Sequence, residues 1–227
     1  MAAYKNFKFQ ASSTEDTNRE DVEVLIPEVL DPSYGMYVWP CAAVLAQFIW
    51  FHQDDVDSKQ VLEIGAGTSL PGIVAAKLGA SVTLTDDIRQ PKCLDNCRKS
   101  CEANNIETVN TLAISWGIFT PSMVTLPPQD ILLASDCFYD SKDFEDVIAT
   151  IKFFMEKNNS CECWVTYQQR SADRSIEYLL QKWNLSCCHH PLRTFNADTP
   201  CIGGSGLPGN HSIEMLVITN SERAPPV

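Results

Sequence analysis

The sequence predicts an α/β fold built on a mostly parallel β-sheet. Short apolar runs that suit buried strands alternate with longer segments whose apolar residues recur at helical spacing. One run, residues 131–134, is apolar throughout, as expected of a central parallel strand that is covered on both faces. No repeat or linker divides the 227 residues, so we expect one domain.

The ends of the chain differ in composition from its middle. Residues 1–20 mix charged and small polar residues, and we expect them to form a mobile N-terminal tail, although Phe7 and Phe9 offer apolar side chains for docking. Residues 21–220 then form the single domain, and 221–227 an unstructured C-terminus.

Charge and composition argue against two classes of partner. A net charge of −12 disfavours direct binding of nucleic acid, since phosphate contacts need a basic face. The same charge suits a basic partner, such as a Lys/Arg-rich protein segment. No apolar run has membrane-spanning length and no N-terminal segment has the apolar core of a signal peptide, so we expect no membrane contact. The ten cysteines then indicate reduced thiols of an intracellular protein.

A glycine turn between a short strand and a helix indicates a cofactor site. The strand is predicted over 61–64, Gly65 and Gly67 form the turn, and the helix begins near Leu70. Glycines let a backbone come close to a ligand. A helix start with free N–H groups favours a negatively charged ligand group. Together they predict a nucleotide-like cofactor.

The spacing of this turn selects among cofactors. A dinucleotide fingerprint needs a third glycine where Leu70 stands, and Gly72 comes two residues late. Glu63, just before the turn, suits a cofactor with a cationic amino-acid end, as S-adenosylmethionine has. Asp86 closes the next strand, where an acid binds ribose hydroxyls. The alternative is a generic βαβ unit with a glycine turn.

Cysteines on a predicted helix raise the question of a metal. Cys93, Cys97 and Cys101 share one helix face, but a straight helix spreads them over about 12 Å. No Cys-x-x-Cys pair exists in the chain, so we interpret the three as a small buried apolar stripe. The neighbouring cysteines and histidines at 187–190 alternate between the faces of a strand. We therefore predict no metal.

Five motifs in order resemble a known family. They are Tyr34-Gly35-Met36-Tyr37-Val38-Trp39-Pro40, Leu62-Glu63-Ile64-Gly65-Ala66-Gly67, Thr85-Asp86, Ser115-Trp116-Gly117 and Ala134-Ser135-Asp136-Cys137-Phe138-Tyr139. Over roughly residues 22–219 the chain resembles the seven-strand protein methyltransferases related to the methyltransferase-like 21 enzymes. The resemblance implies a Rossmann-like seven-strand sheet, mostly parallel with an antiparallel last strand, and helices on both faces.

The resemblance also implies a set of cofactor contacts. In the family the loop around Trp39 lies beside the cofactor, although a core tryptophan that anchors the following helix is an open alternative. Trp116 matches a family tryptophan in the same pocket, where an indole can pack against adenine. The complete implied set is Trp39, Glu63, Gly65, Ala66, Gly67, Asp86, Trp116 and Ser135.

Asp136 and Tyr139 are the candidate catalytic residues. They follow the 131–134 strand, and ligands of such sheets bind outside the carboxyl ends of the strands. Asp136 could hold a cationic side chain by a charge-assisted bond, and Tyr139 could add a hydroxyl or a cation–π face. In the family this acid-x-x-aromatic motif lies at the substrate entrance. The alternative is that Asp136 caps the following helix.

The residues alone indicate a basic side chain of a protein as methyl acceptor. Most members of the family modify lysine, whereas the branch that this chain resembles implies an arginine of histone H3, which we favour. A lysine of a non-histone protein such as a chaperone is the alternative, and a non-catalytic adaptor is a more distant one. The resemblance further implies a place in both nucleus and cytoplasm.

Overall fold

The structure is a computed structural model that describes residues 3–11, 19–29, 34–170, 176–210 and 212–221. Its strands are β1 Ala3–Phe9, β2 Val22–Glu28, β3 Gln60–Ile64, β4 Ser81–Asp86, β5 Asn110–Ala113, β6 Ile131–Ser135, β7 Glu162–Gln168, β8 Leu185–His189 and β9 Ile213–Asn220. Its helices are α1 Pro40–Phe51, α2 Gln53–Val56, α3 Leu70–Lys77, α4 Pro91–Ala103, α5 Pro121–Thr125, α6 Phe144–Lys157 and α7 Glu177–Lys182.

A seven-strand sheet with the order β5-β4-β3-β6-β7-β9-β8 forms the centre of the molecule. The strands from β5 to β7 are parallel, and β9 lies antiparallel between β7 and β8. The predicted α/β class is therefore confirmed, including the antiparallel last strand. The chain leaves β3 toward β4 on one side and places β6 on the other. The crevice at such a reversal of strand order is where ligands bind.

Helices cover both faces of this sheet because its central strands are apolar on both sides. Adjacent residues of β3 belong to different core clusters: Val61 to the cluster that contains α1 and α3, and Leu62 to the cluster that contains α6. In β6, Leu133 and Leu132 divide in the same way. Each cluster gives one layer of helices an apolar surface to bury, which confirms the predicted arrangement.

The N-terminal segment differs from its predicted role as a mobile tail. Residues 3–9 form β1, which pairs antiparallel with β2 in a separate two-stranded sheet. Phe7 and Phe9 are fully buried in the α1–α3 cluster, while the alternating residues Asn6 and Lys8 are exposed. Burial of these two rings anchors the strand, so the expected boundary at residue 20 is wrong for residues 3–9. Residues 12–18 of the expected tail and 222–227 of the expected C-terminus lie outside the described residues.

Two further boundaries differ from the sequence pattern. The apolar residues of 22–26, followed by Pro27, predict a strand that ends at the proline, but β2 runs to Glu28, because an edge strand tolerates proline where its outer side needs no N–H donor. The amphipathic pattern of 172–183 predicts a helix; the structure has α7 over Glu177–Lys182, and positions 172–175 of the predicted helix lie outside the described residues. No helix in the described ranges combines the length and apolarity that a bilayer crossing requires.

Candidate functional site

The glycine turn after β3 is tied to the end of β4. Gly65 and Gly67 have φ values of +60° and +51°, which favour glycine. The Ala66 N–H donates to the Thr85 carbonyl at 2.8 Å, and the Gly67 N–H donates to the Asp86 carboxylate at 2.8 Å. The turn and the predicted ribose acid thus form one hydrogen-bonded unit.

Different groups lie against the two glycines. A Cβ on Gly65 would be 2.9 Å from Cζ2 of Trp116 and 3.0 Å from Sγ of Cys137. A Cβ on Gly67 would be 3.1 Å from the Gly35 carbonyl oxygen. At Gly67 the close neighbour is therefore the backbone of the loop before α1. At Gly65 it is the Trp116 side chain that the sequence assigned to the cofactor pocket.

Glu63 lies beneath the turn and uses the start of α3. Its Oε2 accepts the Gly72 N–H at 2.9 Å, and Pro71 has no N–H to offer. The acidic group at this helix start thus belongs to the chain itself, which is a correction to the expected free N–H groups for a negatively charged ligand. Burial raises the pKa of Glu63 well above its usual value, and its Oε1 has no hydrogen-bond partner among the described residues. An acceptor of this kind fits a cationic group.

Gly72 performs the packing role of the missing third glycine. A Cβ there would lie 2.5 Å from Oε2 of Glu63 and closer still to Cδ2 of Leu84. The bare backbone allows α3 to rest on β3 and β4 and lets its N–H reach the carboxylate. The departure from the dinucleotide spacing therefore moves the helix–strand contact two residues along the chain.

Two consecutive acids end β4 and differ in environment. Each carboxylate oxygen of Asp86 accepts one backbone N–H, from Gly67 and from Asp87, and each keeps lone-pair capacity for a hydroxyl donor. Burial raises the pKa of Asp86 to about 6. Hydrogen bonds from Arg89 lower the pKa of Asp87 to about 2, and the Ser115 hydroxyl donates to the same carboxylate at 2.9 Å. The sequence analysis did not single out Asp87.

Three aromatic residues carry predicted roles in this region. The rings of Trp116 and Tyr139 lie edge to face with centroids 6.4 Å apart, so Trp116 contacts both Gly65 and the predicted substrate side. Trp39 precedes α1 and is 39% exposed. That exposure excludes the alternative in which its indole is a core anchor.

Asp136 holds a guanidinium of the same chain. It has a φ of +52° at the end of β6, and its N–H donates to the Thr166 carbonyl at 2.7 Å. Oδ1 accepts Nη1 of Arg170 at 3.1 Å and Oδ2 accepts Nη2 at 2.8 Å. The helix-cap alternative is wrong, because α6 begins after Asp143.

Arg170 is not predictable from local sequence patterns, because 34 positions separate it from Asp136. The available signal was its place just after β7, whose carboxyl end lies beside that of β6 in a parallel sheet.

The start of α1 completes the substrate side. Burial, and Asp136 after it, raises the pKa of the Cys41 thiol well above its usual value. The Cys41 carbonyl accepts the Thr166 hydroxyl at 2.8 Å, which joins α1 to β7. Ser135 pairs with Thr166 in the sheet register and so lies at the same edge. The predicted residues that follow β3, β4 and β6 thus lie at the carboxyl edge of the sheet, and Trp116 lies between Gly65 and Tyr139.

The described residues contain no group of three or more His, Cys, Asp or Glu side chains placed to hold a metal ion. The stripe of Cys93, Cys97 and Cys101 is buried, as expected, and the Cys97 thiol lies 3.7 Å from the Gly67 carbonyl oxygen. The Cys97 thiol thus packs against the glycine turn.

The seven-strand sheet, the glycine turn after β3 and the two acids beside that turn, Glu63 and Asp86, define the class: the protein is an S-adenosylmethionine-dependent methyltransferase. The chain belongs to a family described as lysine methyltransferase, whose model matches residues 18–182.

Comparison with known proteins supports this assignment. The chain is 54% identical over 205 residues to the histone-arginine methyltransferase METTL23 of Xenopus laevis, covering 90% of this chain and 88% of that protein. It is 54% identical over 184 residues to the Homo sapiens protein of the same name, covering 81% of this chain and 97% of that protein. The fold is shared with magnesium protoporphyrin IX methyltransferase (ChlM) from Synechocystis PCC 6803 with bound SAM, at a TM-score of 0.53 and 12% identity, covering 79% of this chain and 78% of that chain.

Proposed function

We propose that this methyltransferase acts on an arginine side chain of a basic protein, with histone H3 as the substrate. The observation that carries the proposal is the carboxylate of Asp136, which follows β6 and accepts a guanidinium through two parallel hydrogen bonds. The names of the METTL23 relatives give the same acceptor class. The net charge of −12 favours the approach of a basic protein rather than of nucleic acid.

The cofactor side is proposed to hold S-adenosylmethionine through acidic side chains at its amino end and ribose and through an aromatic side chain at its adenine. Glu63, with its unpartnered Oε1, would accept from the cationic amino end, and Asp86 would accept from the ribose hydroxyls. Trp116 would cover the adenine, while Trp39 and Ser135 would close the pocket from the sides. The backbone of Gly65, Ala66 and Gly67 would let the ligand approach closely.

The substrate side is proposed to orient the acceptor nitrogen. The bound cofactor supplies an electrophilic methyl group on a sulfonium. Asp136 would fix the guanidinium so that one nitrogen faces that methyl, which is a contribution of positioning. On methylation the acceptor nitrogen would lose a proton, and the Asp136 carboxylate, hydrogen-bonded to that N–H, would take the proton up. Tyr139, held edge to face with Trp116, would flank the acceptor.

Substitution of Asp136 tests the proposal. Asn also tolerates a positive φ, so Asp136→Asn keeps the backbone and removes the charge. We expect the rate of methyl transfer from labelled S-adenosylmethionine to histone H3 to fall tenfold or more, about 1.4 kcal/mol in the barrier. The cofactor dissociation constant, measured by calorimetry, should stay unchanged.

Asp140→Asn is the matched control, because Asp140 lies in the same loop but pairs with Lys142 at 2.8 Å. It should transfer methyl at the wild-type rate. A wild-type rate for Asp136→Asn would remove Asp136 from the substrate site. Absence of label in histone H3 with the wild-type protein would refute the proposed substrate.

A lysine of a non-histone protein, such as a chaperone, is the second candidate. The description of the family as lysine methyltransferase favours it. Amino-acid analysis of labelled cell-lysate proteins separates the two, since methylarginine and methyllysine elute differently.

A location in both nucleus and cytoplasm is part of the proposal, because histones occur in both compartments, and fluorescence imaging of the tagged protein tests it.

A further inference from the structure

The ion pair between Asp136 and Arg170 is unequal in its two halves. The Asp136 side chain is only 12% exposed, and its backbone is fixed by the hydrogen bond to Thr166. The Arg170 side chain is 33% exposed and belongs to a residue beyond the end of β7. The acid is therefore part of the wall of the site, whereas the arginine reaches it from the solvent side.

We propose that Arg170 is an internal stand-in for the substrate: its guanidinium occupies the acceptor position on Asp136, and an incoming arginine must displace it. This inference rests on the proposed function, in which Asp136 binds the acceptor. It assigns to Arg170 control over access to the site.

Displacement is energetically accessible for this pair. The Arg170 half of the pair is partly exposed, so water can take over the hydrogen bonds of its guanidinium when it leaves Asp136, and its long side chain regains freedom. An incoming arginine that forms the same two hydrogen bonds replaces what Arg170 gives up. The exchange then depends on the other contacts of the substrate, so a protein segment with additional binding surface displaces Arg170 more readily than a free amino acid does.

The exchange also discriminates between basic side chains. Nη1 and Nη2 of Arg170 meet the two carboxylate oxygens of Asp136 at 3.1 Å and 2.8 Å, a geometry that suits a planar fork. An ammonium group is a compact charge without that planar pair of donors. A lysine would therefore exchange two parallel bonds for a less well-matched contact with Asp136, so it displaces Arg170 less readily than another arginine does.

Removal of the Arg170 charge is the direct test. Arg170→Met keeps an extended side chain without the guanidinium, and N-acetylarginine methylamide serves as a probe of the vacated carboxylate. We titrate the probe into protein saturated with S-adenosylhomocysteine and follow binding by NMR. The variant should bind the probe at least tenfold more tightly than the wild type, and N-acetyllysine methylamide, the weaker ligand of both proteins, should gain affinity by the same factor.

Two further variants make the result specific. Arg98→Met removes an exposed arginine that pairs with Asp95 at 2.7 Å outside the site, and it should leave probe affinity unchanged. Arg170→Lys keeps the charge but loses the fork, and it should tighten probe binding by less than Arg170→Met does. If Arg170→Met fails to fold, as judged by its thermal melt, the direction of the Arg170→Lys change decides the question.

The result that overturns the inference is unchanged or weaker probe binding when Arg170 is replaced, which would make Arg170 a structural partner of Asp136. The titration needs no turnover, so it is independent of the histone assay. If the probe binds the variant more tightly but histone H3 remains unlabelled, histone H3 is refuted as the substrate and the proposed role of Arg170 is supported. Labelled histone H3 without tighter probe binding would refute only the stand-in.

Discussion

At the scale of the residue, the acids of the site differ because their surroundings differ. Asp86 and Asp87 are neighbours in sequence, yet burial raises the pKa of the first to about 6 and Arg89 lowers that of the second to about 2. Near neutral pH Asp87 is fully ionised, whereas Asp86 is close to its titration. A ligand whose hydroxyls donate to Asp86 favours the ionised carboxylate and so competes with the proton.

Cofactor affinity should therefore depend on pH through Asp86. In the free protein the pKa is about 6, and ribose donors would lower it in the complex, so affinity should be constant above about pH 7 and fall as the pH drops through 6. Calorimetric titration of S-adenosylmethionine between pH 5 and 8 measures this. Asp86→Asn should weaken binding on the order of tenfold or more at pH 7.5 and remove the inflection near pH 6.

Asp87→Asn is the comparison variant, since Asp87 is ionised throughout that pH range, and it should retain the inflection. An inflection that survives Asp86→Asn would assign the titration to Glu63, whose pKa burial also raises.

At the scale of the element, the seating of α3 on the sheet depends on one position without a side chain. Gly72 lies inside the helix, where alanine is intrinsically favoured by about 1 kcal/mol. At this position, however, a methyl group would collide with Leu84 and with the Glu63 carboxylate. Propensity and packing therefore make opposite predictions for the same substitution.

At Gly72 the steric collision should outweigh the gain in helix propensity. We expect Gly72→Ala to lower the free energy of unfolding by about 1–3 kcal/mol, because the helix must shift from β3 and β4. Chemical denaturation measures the change, and cofactor affinity should fall with it as Glu63 moves. Leu84→Ala relieves part of the collision, so in that background Gly72→Ala should be less costly. Equal costs in both backgrounds would show that Leu84 is not the obstacle.

The sequence predicts this element and the rest of the sheet because the determining signals are local. The apolar run at 131–134 is β6, and the glycine spacing correctly locates the turn and excludes a dinucleotide fingerprint. The role of Gly72 is not predictable from spacing, because it depends on the position of Leu84 on another strand. Arg170 is missed for the same reason: its partner lies on a neighbouring strand and far away in sequence.

At the scale of the whole molecule, the small β1–β2 sheet is an integral part of the core. Two phenylalanines in a segment of otherwise polar residues give a weak pattern of alternation, which composition alone hides. Both rings are nevertheless buried, and a Cβ on Gly203 would lie only 3.3 Å from the ring of Phe9. The first strand of the chain is thus held by a turn close to its other end.

Truncation of one of these rings should destabilise the whole fold. Phe7→Ala should lower the free energy of unfolding by about 3–5 kcal/mol, since it leaves a cavity in the core. Tyr4→Ala is the matched control on the same strand, because Tyr4 is 60% exposed, and it should change stability by about 0.5 kcal/mol or less. Both are measured by urea denaturation. Equal small effects would return residues 3–9 to the role of a loosely attached tail.

The contact between Phe9 and Gly203 also limits when β1 can complete its packing during protein synthesis. Ribosomes add about 5–20 residues per second, so roughly ten to forty seconds separate the synthesis of the two residues. A similar delay separates the synthesis of β1 from that of β9, which follows β7 and β8 in sequence but lies between them in the sheet. During translation the rings of Phe7 and Phe9 in β1 are therefore incompletely buried until the C-terminal part of the chain has been synthesised. A high yield of native protein then requires that this nascent segment is shielded from aggregation.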